Sequence, residues 1–107
     1  RVKKVFAVDT VKVFGDLNQK VQKAAVSPGS GKSVITHALK AGAQVLVTGD
    51  IDHHEGIDAA SQGLAVIDAG HYGVEKLFVP YMVQYLQDAA QEVQIVGQPV
   101  KQPFLFV

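Results

Sequence analysis

Residues 43–75 read AQVLVTGDIDHHEGIDAASQGLAVIDAGHYGVE. The stretch holds two apolar runs, AQVLVTGD (43–50) and LAVIDAG (64–70), each ending in a polar turn. Short continuous apolar runs bounded by turn residues predict buried strands. Between them EGIDAASQG predicts a short helix closed by Gly63, and after the second run HYGVEKLF opens a helical turn. Apolar strands that alternate with helices imply parallel strands covered by helices.

Upstream, VKVFG (11–15) alternates and reads as a strand, DLNQ as a turn, and VQKAAVS (21–27) as a second strand. A glycine-rich turn follows. SVITHALKAG then places Val34, Ile35, Ala38 and Leu39 on one apolar face, with Gly42 as the C-cap. Val2, Val5 and Phe6 have helical spacing, so residues 1–8 read as the tail of a helix. Downstream, Pro80 suits the first position of a helix over about 80–91. VQIVG (93–97) predicts a further strand and PFLFV (103–107) an edge strand. The expected architecture is one α/β domain over residues 1–107, a mixed and mostly parallel sheet with helices packed on it.

Composition narrows the function classes. Hydrophobic residues make up 48% and charged residues 19%, enough for a core and against disorder. Lys plus Arg number 10, as do Asp plus Glu. That balance gives no basic face for nucleic acid or a membrane surface. No apolar run approaches the roughly 18 residues that span a bilayer. There is no cysteine, which excludes disulfides, thiolate metal ligands and cysteine nucleophiles and is compatible with a cytoplasmic protein. The chain begins mid-pattern at Arg1 without Met, as expected of a C-terminal fragment of a longer protein.

Two stretches carry chemistry. SPGSGKS (27–33) ends in Gly-Lys-Ser like a phosphate-binding loop, but the glycine that such a loop needs five residues before Gly31 is Val26. The pattern fails. Free N–H groups near Gly29 to Lys32 remain able to hold an anion, though a plain tight turn capped by Ser30 or Ser33 is the first reading. Residues 49–75 are the richer stretch, with His53, His54 and His71 among Asp50, Asp52, Glu55, Asp58, Asp68 and Glu75. These groups follow the ends of two buried strands, where α/β sheets bind ligands. His71 and Glu75 stand at i, i+4 and share a helical face. An imidazole with a carboxylate suits zinc, iron or manganese, and spacing alone supports a surface His–Glu pair or a helix cap just as well. His53 and His54 point about 100° apart if helical, so one at most joins a given site. His37 reads as a partly exposed helix histidine.

TGDIDHHEGIDAASQGLAVIDAGHYGVEK resembles the C-terminal signature of the NIF-three-like family, dinuclear-metal proteins often labelled GTP cyclohydrolase type 2 homologues. VKVFGDLNQKVQKAAVSPGSGKS and PFLFV resemble flanking parts of the same family, in order from about Val2 to Val107. The resemblance implies half of a two-lobed α/β fold around two divalent metal ions. It makes His71 and Glu75 ligands. His54 lines the same cavity as a catalytic proton shuttle or substrate contact. Gly29, Ser30, Gly31 and Lys32 form a substrate-binding wall able to meet a phosphate. It further implies metal-dependent hydrolysis of a small, nucleotide-like molecule by a homo-oligomer, a hexamer in relatives, with a non-enzymatic assembly module as the alternative. The family's N-terminal histidine pair and aspartate are not in this chain, and His53-His54 does not correspond to that pair. This chain is thus expected to carry only part of the metal site.

Overall fold

The computed structural model describes residues 1–99, 101–105 and 107. In chain order the elements are α1 (Val2–Phe6), β1 (Lys12–Phe14), β2 (Ala24–Ser30), a 3₁₀ turn (Lys32–Val34), α2 (Ile35–Lys40), β3 (Val45–Gly49), α3 (His53–Ser61), β4 (Ala65–Asp68), α4 (His71–Glu75) and α5 (Phe78–Ala89). The strands form one sheet in the order β1-β4-β3-β2. β2 and β4 run parallel to the central β3, while β1 pairs antiparallel with β4 through Lys12↔Asp68, Val13↔Ile67 and Phe14↔Val66. The sheet is therefore mixed and mostly parallel, as the alternation of elements predicts.

Every residue of β3 is buried, as expected where helices cover both faces of a central parallel strand. Leu46 and Val66 lie in one cluster with Ile51, Leu64, Ala38 and Ala59, against which Phe14, Ile35 and Leu39 pack. Leu46, Ile51, Leu64 and Val66 are almost wholly withdrawn from water, each contributing about 2 kcal/mol of apolar transfer. Gly56 explains an apparent misfit in this core. Glycine inside a helix costs about 1 kcal/mol against alanine, yet a Cβ here would stand 2.4 Å from the Phe14 ring. The missing side chain lets α3 close onto β1.

Several boundaries differ from the sequence expectation. β2 runs over Ala24–Ser30 and not 21–27, so Pro28, Gly29 and Ser30 belong to the strand. Its register with β3 shifts between Val26 and Ser30, which absorbs the proline. α3 begins at His53 and not near Glu55, because Asp52 and Glu55 form a capping box: Glu55 N–H donates to Asp52 Oδ1 at 2.9 Å and Asp52 N–H to Glu55 Oε2 at 3.3 Å. Pro80 is the third residue of α5, still within the first turn where backbone N–H groups lack helical partners. Residues 93–97 are not a strand. They lie back along α5, where a Cβ on Gly97 would come 2.9 Å from Val83 Cγ2. In the expected edge strand 103–107, Phe106 lies outside the described residues, and the others are not in a strand. No helix among the described residues is long and apolar enough to cross a membrane.

Gly49, at the end of β3, sets how closely α4 approaches the sheet. A Cβ there would fall 2.5 Å from His71 N and 2.6 Å from Gly70 C, both backbone atoms that a rotamer change cannot relieve. Gly49→Ala is expected to destabilise the protein by about 2 kcal/mol and to displace α4. Urea unfolding checks the first effect, and a loss too small to measure would show that α4 moves freely.

Candidate functional site

The C-terminal ends of the three parallel strands converge: β2 at Ser30, β3 at Gly49 and β4 at Asp68. Asp68 organises this end. Its carboxylate is buried, 7% exposed. Oδ1 accepts from Asp50 N–H at 3.1 Å and Gly70 N–H at 2.9 Å, and Oδ2 from Ile51 N–H at 3.0 Å. Lys12 Nζ stands 3.0 Å from Oδ2 and also donates to the Ile51 carbonyl. One carboxylate thus fixes both the β3–α3 and the β4–α4 turns.

Those turns present His71, the first residue of α4, between two half-exposed carboxylates. His71 Nδ1 is 2.7 Å from Asp50 Oδ2, and Nε2 is 3.2 Å from Glu75 Oε1. The Asp50 hydrogen bond, with the charge of Glu75 beside it, raises the imidazole above its usual pKa even though desolvation works the other way. When protonated, the ring donates to both sides. Gly29 completes the setting. Its φ of +63° is a left-handed conformation, and a Cβ would stand 2.8 Å from Glu75 Oε1 and 3.5 Å from His71 Nε2. The backbone of β2 therefore forms a close wall beside the pair.

Among the described residues, His54, Ser30, Gly31 and Lys32 have no hydrogen bond or ion pair to His71 or Glu75. His53 and His54 occupy the first turn of α3, exposed, with ring centroids 5.4 Å apart. Among the described residues no hydrogen bond or ion pair joins His54 to His71, Glu75 or Asp50. Ser30 pairs in register with Gly49, and Gly31 N–H donates to the Gly49 carbonyl at 3.1 Å. The glycine-rich stretch is a strand end whose Gly31 N–H is already used. Lys32 forms an ion pair with Glu55 Oε1, a buried atom with no other hydrogen-bond partner among the described residues. That hydrogen bond, and then the carboxylate charge, raise the Lys32 ammonium above its usual range. The Glu55 N–H, helped by the charge of Lys32, holds Asp52 below the ordinary carboxylate range. His37, exposed in α2, has Nδ1 3.2 Å from the Ser33 carbonyl. An open cleft of about 500 Å³ runs from Glu75 to α5, between Pro28, Tyr72, Phe78 and Val79.

The donor set fits part of a metal site. His71 Nε2 and Glu75 Oε1 offer a neutral nitrogen and a carboxylate on one face, with the side-chain-free Gly29 beside them. No group of three or more His, Cys, Asp or Glu residues converges as a complete cage among the described residues. The sequence singles out His71 and Glu75, which meet here, and does not single out the anchoring positions of Asp50 and Asp68. Their signal was present: each is the acidic residue at a buried strand's end.

The profile of the Duf34/NIF3 (NGG1p interacting factor 3) family matches residues 1–103. A GTP cyclohydrolase 1 type 2 homolog from Halalkalibacterium halodurans is 38% identical over 112 aligned positions, covering 100% of this chain and 30% of that protein. A homolog of the same name from Listeria monocytogenes is 35% identical over 111, covering 99% and 30%. In structure, a Bacillus cereus protein related to NIF3 superposes with a TM-score of 0.86 at 36% identity, over 98% of this chain and 30% of that one. The chain spans about a third of the length of the relatives it matches.

Proposed function

The chain belongs to the Duf34/NIF3 family, and on that premise we propose that it contributes His71 and Glu75 to a centre of two divalent ions, zinc, iron or manganese. The rest of the ligand set comes from parts of a longer protein. The observation that carries this reading is the approach of His71 Nε2 to Glu75 Oε1 at 3.2 Å, against a wall where Gly29 has no side chain. Two divalent ions held there would supply Lewis-acid activation of water for hydrolysis at neutral pH.

The chain's own residues supply the setting for hydrolysis of a small, nucleotide-like molecule. His71 and Glu75 hold the ions, Asp68 holds their turn in place, and Gly29, Ser30 and Gly31 form the wall against which substrate lies. His54, on the exposed first turn of α3, moves a proton to or from substrate, as an imidazole can. Lys32 meets a substrate phosphate by giving up its pair with Glu55. We place the protein in the cytoplasm as a homo-oligomer, a hexamer, acting on a small molecule and not on nucleic acid or membranes. The test is substrate-library hydrolysis by the full-length, metal-loaded protein. His54→Ala is expected to abolish turnover while leaving metal content unchanged. Unchanged turnover would remove His54 from the chemistry.

A second reading, an assembly module without catalysis, draws on α5. None of its residues is buried, and Phe78, Tyr81 and Tyr85 are more than half exposed, so this helix offers apolar surface for assembly. Full metal content with no hydrolysis of any library member would favour it.

The Gly-Lys-Ser stretch carries a separate expectation. Because Val26 stands where a phosphate-binding loop needs glycine, and Gly31 N–H is bonded to Gly49, magnesium-ATP should not bind. Calorimetry is expected to show no heat of binding. Micromolar affinity abolished by Lys32→Ala would overturn this.

A further inference from the structure

We infer that Asp50 is the positioning residue of the centre: it holds the His71 ring by Nδ1 and so reserves Nε2 for the ion that Glu75 shares. This rests on the metal-centre reading above. Asp50 touches neither Glu75 nor Gly29 in any hydrogen bond or ion pair among the described residues, so it acts through His71.

The geometry argues the role in steps. His71 Nδ1 and Asp50 Oδ2 are 2.7 Å apart, closer than Nε2 and Glu75 Oε1 at 3.2 Å. In the neutral ring one nitrogen carries the proton and the other a lone pair. Two carboxylates then compete for one N–H, and the shorter contact places it on Nδ1. The lone pair of Nε2 is left on the side of Glu75 and Gly29. A carboxylate accepting from the far nitrogen also makes an imidazole a stronger metal donor.

The backbone shows that this contact is built into the fold. Asp50 has φ +52°, a left-handed conformation that side-chain-bearing residues adopt at a cost. The turn is held there by Asp68, which accepts from Asp50 N–H and Ile51 N–H. The same carboxylate accepts from Gly70 N–H, one residue before His71. Both partners of the Asp50–His71 contact are thus anchored to a single buried group.

The experiment uses the full-length protein and Asp50→Asn, which keeps the size of the side chain and tolerates the left-handed backbone. Glu75 is then the one charged carboxylate at the ring and draws the proton to Nε2, closing the side an ion needs. Long-range ¹H–¹⁵N spectra of the metal-free protein, at a pH where the ring is neutral, read the tautomer directly. His71 is expected to carry its proton on Nδ1 in the wild type and mainly on Nε2 in the variant. Zinc titration against a competing chelator is expected to show affinity weakened by about 10–100-fold, with the melting temperature little changed and part of the affinity restored in Asp50→Glu. A wild-type ring protonated on Nε2 would overturn the inference, as would a variant with unchanged tautomer. If the wild type took up no zinc, the metal-centre reading would fall, and the tautomer would still decide whether Asp50 positions the ring.

Discussion

Replacing Asp68 by alanine is expected to remove about 3 kcal/mol of stability. Domains of this size are stable by only about 5–15 kcal/mol, so the loss is a large share of the total. The cost comes from what is left behind. Asp50, Ile51 and Gly70 lose the acceptor of their N–H groups, and an unpaired buried donor costs about 1–3 kcal/mol. Ile51 is 1% exposed, so water cannot take over its bond. Lys12, partly exposed, is less affected because solvent screens it. Asp68→Asn keeps one acceptor oxygen and should cost about half as much. Urea unfolding of the two variants beside the wild type checks the order. An alanine variant within about 1 kcal/mol of wild type would mean that the two turns hold without the carboxylate.

The difference between what sequence showed and what it hid follows from where each element gets its stability. β3 and β4 were legible because apolar runs that are buried on both faces have a local signature. β2 begins and ends three residues later than the apolar run 21–27 suggests. Its residues 28–30, Pro-Gly-Ser, have turn chemistry, and only the ladder to β3 with its register shift keeps them in a strand. The start of α3 was legible in principle, since Asp52-His-His-Glu55 has the spacing of a capping box, with the acidic cap three residues before the glutamate. VQIVG has the composition of a strand, but it packs along α5 and pairs with neither edge strand, β1 or β2. At the site, the His71–Glu75 pair followed from i, i+4 spacing. The roles of Asp50 and Asp68 did not, because they depend on two turns 18 residues apart meeting at one carboxylate. Periodicity reports what a helix or strand does locally and is silent on such meetings.

Full-length protein carrying His71→Ala or Glu75→Ala is expected to lose zinc affinity by more than about 100-fold, since even outer-shell changes typically cost 10–100-fold. The 107-residue chain alone is expected to bind zinc weakly or not at all. Both expectations come from ligand count. A tight zinc site takes three or four protein donors. Here two converge, His71 Nε2 and Glu75 Oε1, on a surface where each is about half exposed. Every absent donor leaves a coordination position to water, and an open wall leaves the ion well solvated. Asp50 cannot make up the number, since its oxygen already lies on the opposite nitrogen of the same ring. Lys32 and Glu55 cannot either, because they neutralise one another. Metal analysis after dialysis against a chelator, on the full-length protein, its two variants and the isolated chain, separates the cases. One equivalent of chelator-resistant zinc on the isolated chain would mean that donors outside this pair reach it. Full zinc in the His71→Ala protein would mean that the ring between Asp50 and Glu75 serves the fold and not an ion.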